Sequence, residues 1–184
     1  NILDNIRYDL GGGGSVETVY FLTRLTKPIN IIETGVAAGF TSYAFLEAIK
    51  KNKIGNLYSS DFPYFRIKEP EKFIGVVIPE QLKKNWNLYI KGDEYNINEI
   101  QKKISSVDLI HYDSDKTYYG RKKFMNIISK MMHDETIIIM DDLHDNTFFL
   151  DYVNKNDHLN WKILEVKKGY IGLIYPESFK SFLI

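Results

Sequence analysis

The chain has 184 residues, 44% of them hydrophobic and 26% charged, enough for one sizeable core and too few to need two, so a single domain over 1–184 is expected. Its 24 basic and 24 acidic residues cancel, leaving no net field to draw it to nucleic acid or an anionic membrane, which argues for a small-molecule partner. Cysteine is absent, excluding disulfides and thiolate metal sites, and no membrane span or signal peptide is visible, so a cytoplasmic protein is expected.

Residues 2–9 suggest no more than a helical turn. Residues 11–15, GGGGS, have the composition of a flexible linker and read as an engineered splice outside functional reasoning, the alternative being a natural glycine loop over a ligand. Apolar spacing predicts a helix over 16–25 with Ser15 as N-cap, Val16, Val19 and Tyr20 on one face, and Phe21, Leu22 and Leu25 on a second. Pro28 breaks the chain, and a buried strand follows over 29–33.

That strand opens into residues 30–42, NIIETGVAAGFTS, an apolar run ending in an acid, then spaced glycines, then a helix over 41–51. Gly35 and Gly39 let the backbone approach a ligand, and the start of the helix offers N–H groups to a carboxylate or phosphate. The dinucleotide spacing G-x-G-x-x-G is not met, because counting from Gly35 the second and third glycine positions hold Ala37 and Phe40. Through Glu33, Gly35, Gly39 and the hydroxyls of Thr41 and Ser42, the stretch resembles the E-x-G-x-x-x-G turn of class I S-adenosylmethionine-dependent methyltransferases. The resemblance implies that these residues bind S-adenosyl-L-methionine.

A second strand over 56–61 ends in Asp61, suitably placed in a doubly wound sheet to accept hydrogen bonds from ribose hydroxyls. The segment 62–79, rich in proline and aromatics, reads as a lid or acceptor wall, or as a loop packing its aromatics on the body. A helix over 80–85 and a strand over 86–91 lead to Asp93, a candidate acceptor for the adenine amine. Then come a helix over 97–104, a strand over 107–112, a helix over 119–132 and a strand over 136–140. No element is assigned between 143 and 160. A hairpin joins 161–166 to 170–175 through a turn at 167–169. The fold class is therefore α/β: a Rossmann-like, doubly wound, mostly parallel seven-stranded sheet with an antiparallel C-terminal strand. The apolar segment 179–184 would serve a homodimer as readily as an edge strand.

Two acidic clusters, at 113–118 and 141–146, follow the fourth and fifth strands. The carboxyl ends of neighbouring parallel strands face one crevice, so Asp113, Asp141 and Asp142 are expected to converge there. Like charges so close repel unless a cation intervenes, and magnesium, a hard ion with oxygen ligands, resolves the conflict. Residues 108–119 (DLIHYDSDKTYY) and 141–149 (DDLHDNTFF) resemble the metal-dependent small-molecule O-methyltransferases. Within these, the cephalosporin hydroxylase-like and macrolide-sugar O-methyltransferases are the nearest group and catechol O-methyltransferase is more distant. The likeness runs from residue 16 onward and includes 57–63 (LYSSDFP) and 79–86.

The resemblance implies metal ligation by Asp113, Asp141 and Asp142, with Asp113 also bordering the cofactor, and Lys116 as general base. Many relatives carry D-x-x-H-x-Y-E here, from which Lys116 and Tyr119 depart; the lysine form belongs to the catechol branch. His144 is the alternative base, His111 is expected to be a satisfied core residue, and Asp115, Asp145 and Asn146 to orient the ligands. The expected activity is divalent-metal-assisted O-methylation of a small hydroxylated acceptor. The alternatives are a non-catalytic binding module on the same fold and a nucleotide-sugar or NAD enzyme.

Overall fold

The computed structural model describes residues 8–63, 67–167 and 169–182. Most of the helical turn expected over 2–9, residues 64–66 of the aromatic loop, Lys168 of the hairpin turn and residues 183–184 lie outside this description.

Five strands, β1 (Asn30–Thr34), β2 (Asn56–Ser60), β3 (Trp86–Tyr89), β4 (Leu109–Tyr112) and β5 (Ile137–Met140), run parallel. β6 (Asn160–Val166) and β7 (Gly169–Tyr175) form the closing hairpin, and the sheet order is β3-β2-β1-β4-β5-β7-β6. Only β7 runs against its parallel neighbour, pairing antiparallel with both β5 and β6. The order reverses between β1 and β4, the point at which an open α/β sheet forms its ligand crevice.

Side-chain alternation sorts the core into two layers. Ile31, Leu57, Leu109 and Ile139 face the pair α1 (Val16–Thr26) and α2 (Phe40–Asn52). Ile32, Tyr58, Ile110 and Ile138 face α3 (Asp93–Gln101), α4 (Tyr118–Ile128) and α5 (Phe148–Lys155). Among the described residues no helix is long and apolar enough to cross a membrane.

Several expectations need correction. In α1 the buried residues are Val19, Leu22 and Thr23, and Val16, Tyr20 and Leu25 pack partly buried on the same core, while Phe21 is exposed, so the helix presents one apolar stripe rather than two. α3 begins at Asp93 rather than at residue 97: Gly92 turns the chain at φ 86, and Asp93 and Glu94 complement the positive end of the helix dipole. The segment 80–85 is a 3₁₀ helix, not an α-helix. α5 has no counterpart in the sequence reading, although Phe148, Phe149 and Val153 supply its buried face. The C-terminal segment forms a 3₁₀ helix, Glu177–Phe182, that buries Phe179; it is not a strand, and β6 holds the sheet edge.

Candidate active site

The strands end level. Thr34 registers with Ser60 and Tyr112, and Tyr112 with Met140, so the next residue of each strand stands on one rim. Those residues are still tied to the ladder: the N–H groups of Gly35, Asp61, Asp113 and Asp141 donate to the carbonyls of Ser60, Tyr89, Thr34 and Tyr112 at 2.9, 2.9, 3.1 and 2.9 Å. The backbone of the candidate site is thus set by the sheet, and only the side chains remain to be arranged.

On the β1–β2 side, Gly35, Asp61, Asp93 and Asp113 line a crevice of about 380 Å³. Gly35 has φ 79, and a Cβ there would collide with the carbonyl of Asp113, so glycine is required by the approach of the β4 loop. The Asp61 carboxylate grips the turn: Oδ2 accepts from the N–H of Val36 (3.0 Å) and of Ala37 (2.9 Å), and Oδ1 from that of Phe62 (2.6 Å). Asp93 accepts from the hydroxyls of Ser60 (2.6 Å) and Ser114 (2.5 Å), tying the β2 and β4 ends together. Burial pushes both carboxyls above the ordinary aspartate value, against the hydrogen bonds they receive.

The other four residues expected to bind the cofactor do not line this crevice. Glu33 lies fully buried beneath the turn, where its Oε2 accepts from Ser42 (2.6 Å) and Ser59 (2.7 Å). Thr41 and Ser42 are buried beside it at the start of α2, and they anchor the turn from below. Gly39, at φ 98, faces the loop that crosses over it: a Cβ would stand 2.7 Å from Gly75 Cα. That loop is stitched on by Gly75 N–H to the Ala37 carbonyl (2.9 Å) and Val77 N–H to that of Ala38 (3.1 Å). The glycine turn therefore has an inner, packed side as well as a side open to the crevice.

On the β4–β5 side the acids separate. The Lys116 ammonium pairs with Asp113 and stands 2.7 Å from Asp142 Oδ2, bridging the two loops. Asp141 turns inward: its Oδ2 accepts from Ser15 Oγ (3.1 Å) and lies 3.6 Å from His111 Nε2, while Oδ1 accepts from the Asp142 N–H (2.9 Å). Burial pushes the Asp141 carboxyl up, but His111, the Asp142 amide and Lys116 more than offset this and hold it at about 2. Donor atoms of His111, Asp113 and Asp141 lie within 4.8 Å of one another; Asp142, engaged by Lys116, is outside that group.

His111 is therefore not the satisfied core residue expected. It is fully buried, its Nε2 lies 3.0 Å from Ser15 Oγ, and its Nδ1 has no partner among the described residues. Ser15 occupies the N-cap position of α1 but makes no capping bond with its side chain. Gly14 is equally constrained, since a Cβ would come 2.9 Å from Asp141 Oδ2. The end of the glycine-rich segment, Gly14 and Ser15, packs against Asp141, whereas Gly11 and Gly12 are exposed.

His144 is exposed on the 3₁₀ turn Leu143–Asp145, 3.5 Å from Asp145. Of the expected orienting residues, Asn146 does act across the rim, donating to the Lys116 carbonyl at 2.7 Å. Asp115 bonds within its own loop, accepting from the Thr117 N–H at 2.9 Å. An apolar groove of about 470 Å³ begins at Leu143 and His144 and runs between Phe149, Leu150, Ile163 and Tyr170. A cavity of about 420 Å³ at the opposite rim, beside Asp108 and His133, contains none of the clustered site acids.

The chain matches the family described as "Methyltransferase domain" over residues 32–143. No curated protein matches it by sequence. Among solved structures it is similar to an O-methyltransferase from Bacillus cereus in complex with SAH, at 14% identity and a TM-score of 0.72, covering 95% of this chain and 86% of that one. It is also similar to the O-methyltransferase TomG from Streptomyces achromogenes, involved in tomaymycin synthesis and solved with SAM, at 13% identity, TM-score 0.65 and coverage of 91% and 82%. The SAH-bound methyltransferase PaMTH1 from Podospora anserina gives 16% identity, TM-score 0.59 and coverage of 89% and 78%. At such identities the likeness establishes the fold, and the sequence match establishes the family: this chain belongs to the methyltransferase domain family and carries its Rossmann-like α/β fold.

Proposed function

We propose that the protein is an S-adenosylmethionine-dependent O-methyltransferase acting on a small hydroxylated molecule, assisted by a divalent cation. The observation that carries the reading is the single rim on which the Gly35 turn, Asp61 and Asp93 adjoin the group of His111, Asp113 and Asp141.

The residues fit both groups. The Asp61 carboxylate has about four lone-pair sites; three receive backbone N–H groups, which leaves one for a ribose hydroxyl. Asp93 and Ser114 complete the polar wall of the crevice. His111, Asp113 and Asp141 would hold the cation, and the imidazole nitrogen in the set suits zinc, cobalt or manganese better than magnesium. When bound, the cofactor supplies a methyl group on a positively charged sulfur, and the cation supplies Lewis acidity toward an acceptor hydroxyl.

The protein's own contribution is placement and proton handling. The sheet ladder fixes both halves of the site relative to each other, which supports in-line transfer between two bound reactants. Lys116 stands between the two loops, which supports a role in proton removal: as the neutral amine, its own proton having first passed to solvent, it can take the acceptor's proton. The apolar groove beginning at Leu143 supports an acceptor whose hydroxyl is carried on an apolar or aromatic body.

A second reading, methyl transfer without a metal, is favoured by one feature: the Lys116 ammonium already lies between Asp113 and Asp142 and offsets their repulsion. Calorimetry with SAH and methyl-transfer assays on phenols and alcohols test both. The first reading expects SAH binding and turnover that stops with a chelator and returns with magnesium or manganese. Turnover indifferent to chelation selects the second, and absence of SAH binding refutes both.

A further inference from the structure

Among the described residues Arg121, in α4, is the largest fully buried side chain, yet of its nitrogens only Nη2 finds a hydrogen-bond partner there. That nitrogen donates to the carbonyl of Asp141 at 3.1 Å and to that of Asp142 at 2.7 Å. Nε and Nη1 have no partner among the described residues. A buried guanidinium with two nitrogens unpaired is a poor way to fill a core, since an apolar side chain of similar length would leave no donor unsatisfied. Stability therefore does not account for it.

Its effect is local. The two carbonyls it holds belong to the residues at which the chain leaves β5, and Asp142 has φ 50 and ψ 52, left-handed geometry that residues other than glycine adopt at a cost. With Asp142 so turned, the adjacent carboxylates separate: Asp141 reaches inward to Ser15, and Asp142 reaches across to Lys116. Paired electrostatic attraction between the guanidinium and the carbonyl dipoles offsets the backbone strain.

We propose that Arg121 is the positioning residue of this site, fixing the left-handed Asp142 and through it the places of the Asp141 and Asp142 carboxylates. Its purpose rests on the methyl-transfer reading; its geometry does not.

The test compares wild type, Arg121→Met and Arg121→Lys in the full chain. Crystallography reads the turn, titrations with SAH and with Mn²⁺ read the two halves of the site, and thermal unfolding reads the fold. In Arg121→Met, residue 142 is expected to leave the left-handed region and Mn²⁺ binding to weaken at least tenfold. SAH affinity should stay within twofold and the unfolding midpoint should not fall. Arg121→Lys, still a cationic donor, should recover part of the Mn²⁺ affinity. An unchanged residue 142 overturns the proposal. So does a fall in midpoint with parallel loss of SAH affinity, which makes Arg121 a general structural residue. If wild type binds SAH but no Mn²⁺, the metal part of the functional reading fails; if it binds neither, the whole reading fails. In both cases the conformation of residue 142 in Arg121→Met still decides the positioning role.

Discussion

Lys116 Nζ lies 2.7 Å from Asp142 Oδ2, joining the loop after β4 to the loop after β5. Both side chains are about one-third exposed, so solvent screens the pair and its worth to stability is no more than about 1 kcal/mol. If Lys116 handles the acceptor proton, Lys116→Met should lower turnover by about two orders of magnitude or more. The unfolding midpoint and SAH affinity should barely change. Assays with whichever acceptor the wild type methylates will decide: a variant retaining most of its turnover removes Lys116 from the chemistry.

Asp141 gives a pH signature. Its carboxyl, held at about 2 against an ordinary aspartate value of 3.8, is depressed in the folded state, so the stability it contributes is present above the unfolded value and is lost as pH falls through the folded one. The difference corresponds to a contribution on the order of 2 kcal/mol. Urea unfolding of wild type and Asp141→Asn between pH 2 and 6 should give curves that approach each other at the acid end and separate above pH 4. A constant difference across that range would show that the folded protein does not stabilise the charged form.

Glu33 should show the opposite sign. It is fully buried, and burial pushes its carboxyl above 4.5 despite the hydroxyls of Ser42 and Ser59. A carboxyl raised on folding contributes its full stability below the unfolded value and loses it as pH climbs through the folded value. Wild type should lose stability relative to Glu33→Gln as pH rises above the ordinary glutamate value, by about 1.4 kcal/mol for each pH unit separating the two pKa values. Glutamine keeps an acceptor for both serines and carries no charge. Parallel wild-type and variant profiles would mean that Glu33 titrates normally.

The sequence made the rim legible because strand ends announce themselves: an apolar run, then an acid or a glycine. Asp61, Asp93, Asp113 and Asp141 were located by that signal alone, and the sheet topology brings them together. Direction across a turn is not in the local pattern. Glu33, Gly39, Thr41 and Ser42 belong to the right motif, but the crossing of Gly75 over the turn and the placement of Ser59 on β2 decide that they face inward. Arg121 was hidden by its neighbours: the run Gly120, Arg121, Lys122, Lys123 reads as a solvated basic helix face, and only the approach of the β5 loop buries one of its three cations. Ser15 sends the same local signal as any helix cap; its partners, His111 and Asp141, are 96 and 126 residues away along the chain.

The glycine-rich segment supplies the remaining prediction. If residues 11–15 were only a spacer, their sequence would be interchangeable with any flexible stretch. The geometry says otherwise, because Ser15 Oγ donates to the Asp141 carboxylate at 3.1 Å and Gly14 leaves no room for a Cβ beside it. Ser15→Ala removes one donor to a buried charge, a loss of about 1.5–3 kcal/mol, and should destabilise the fold measurably. Gly14→Ala forces the strap away from Asp141 and should do the same while leaving SAH affinity intact, since the crevice lies on the β1–β2 side. Gly11→Ala separates spacer from site: a Cβ there meets nothing within 4 Å, though its φ of 75 makes alanine mildly strained. Denaturant unfolding and SAH titration of the three variants will decide. Equal, small effects at all three positions would return the segment to the status of a linker.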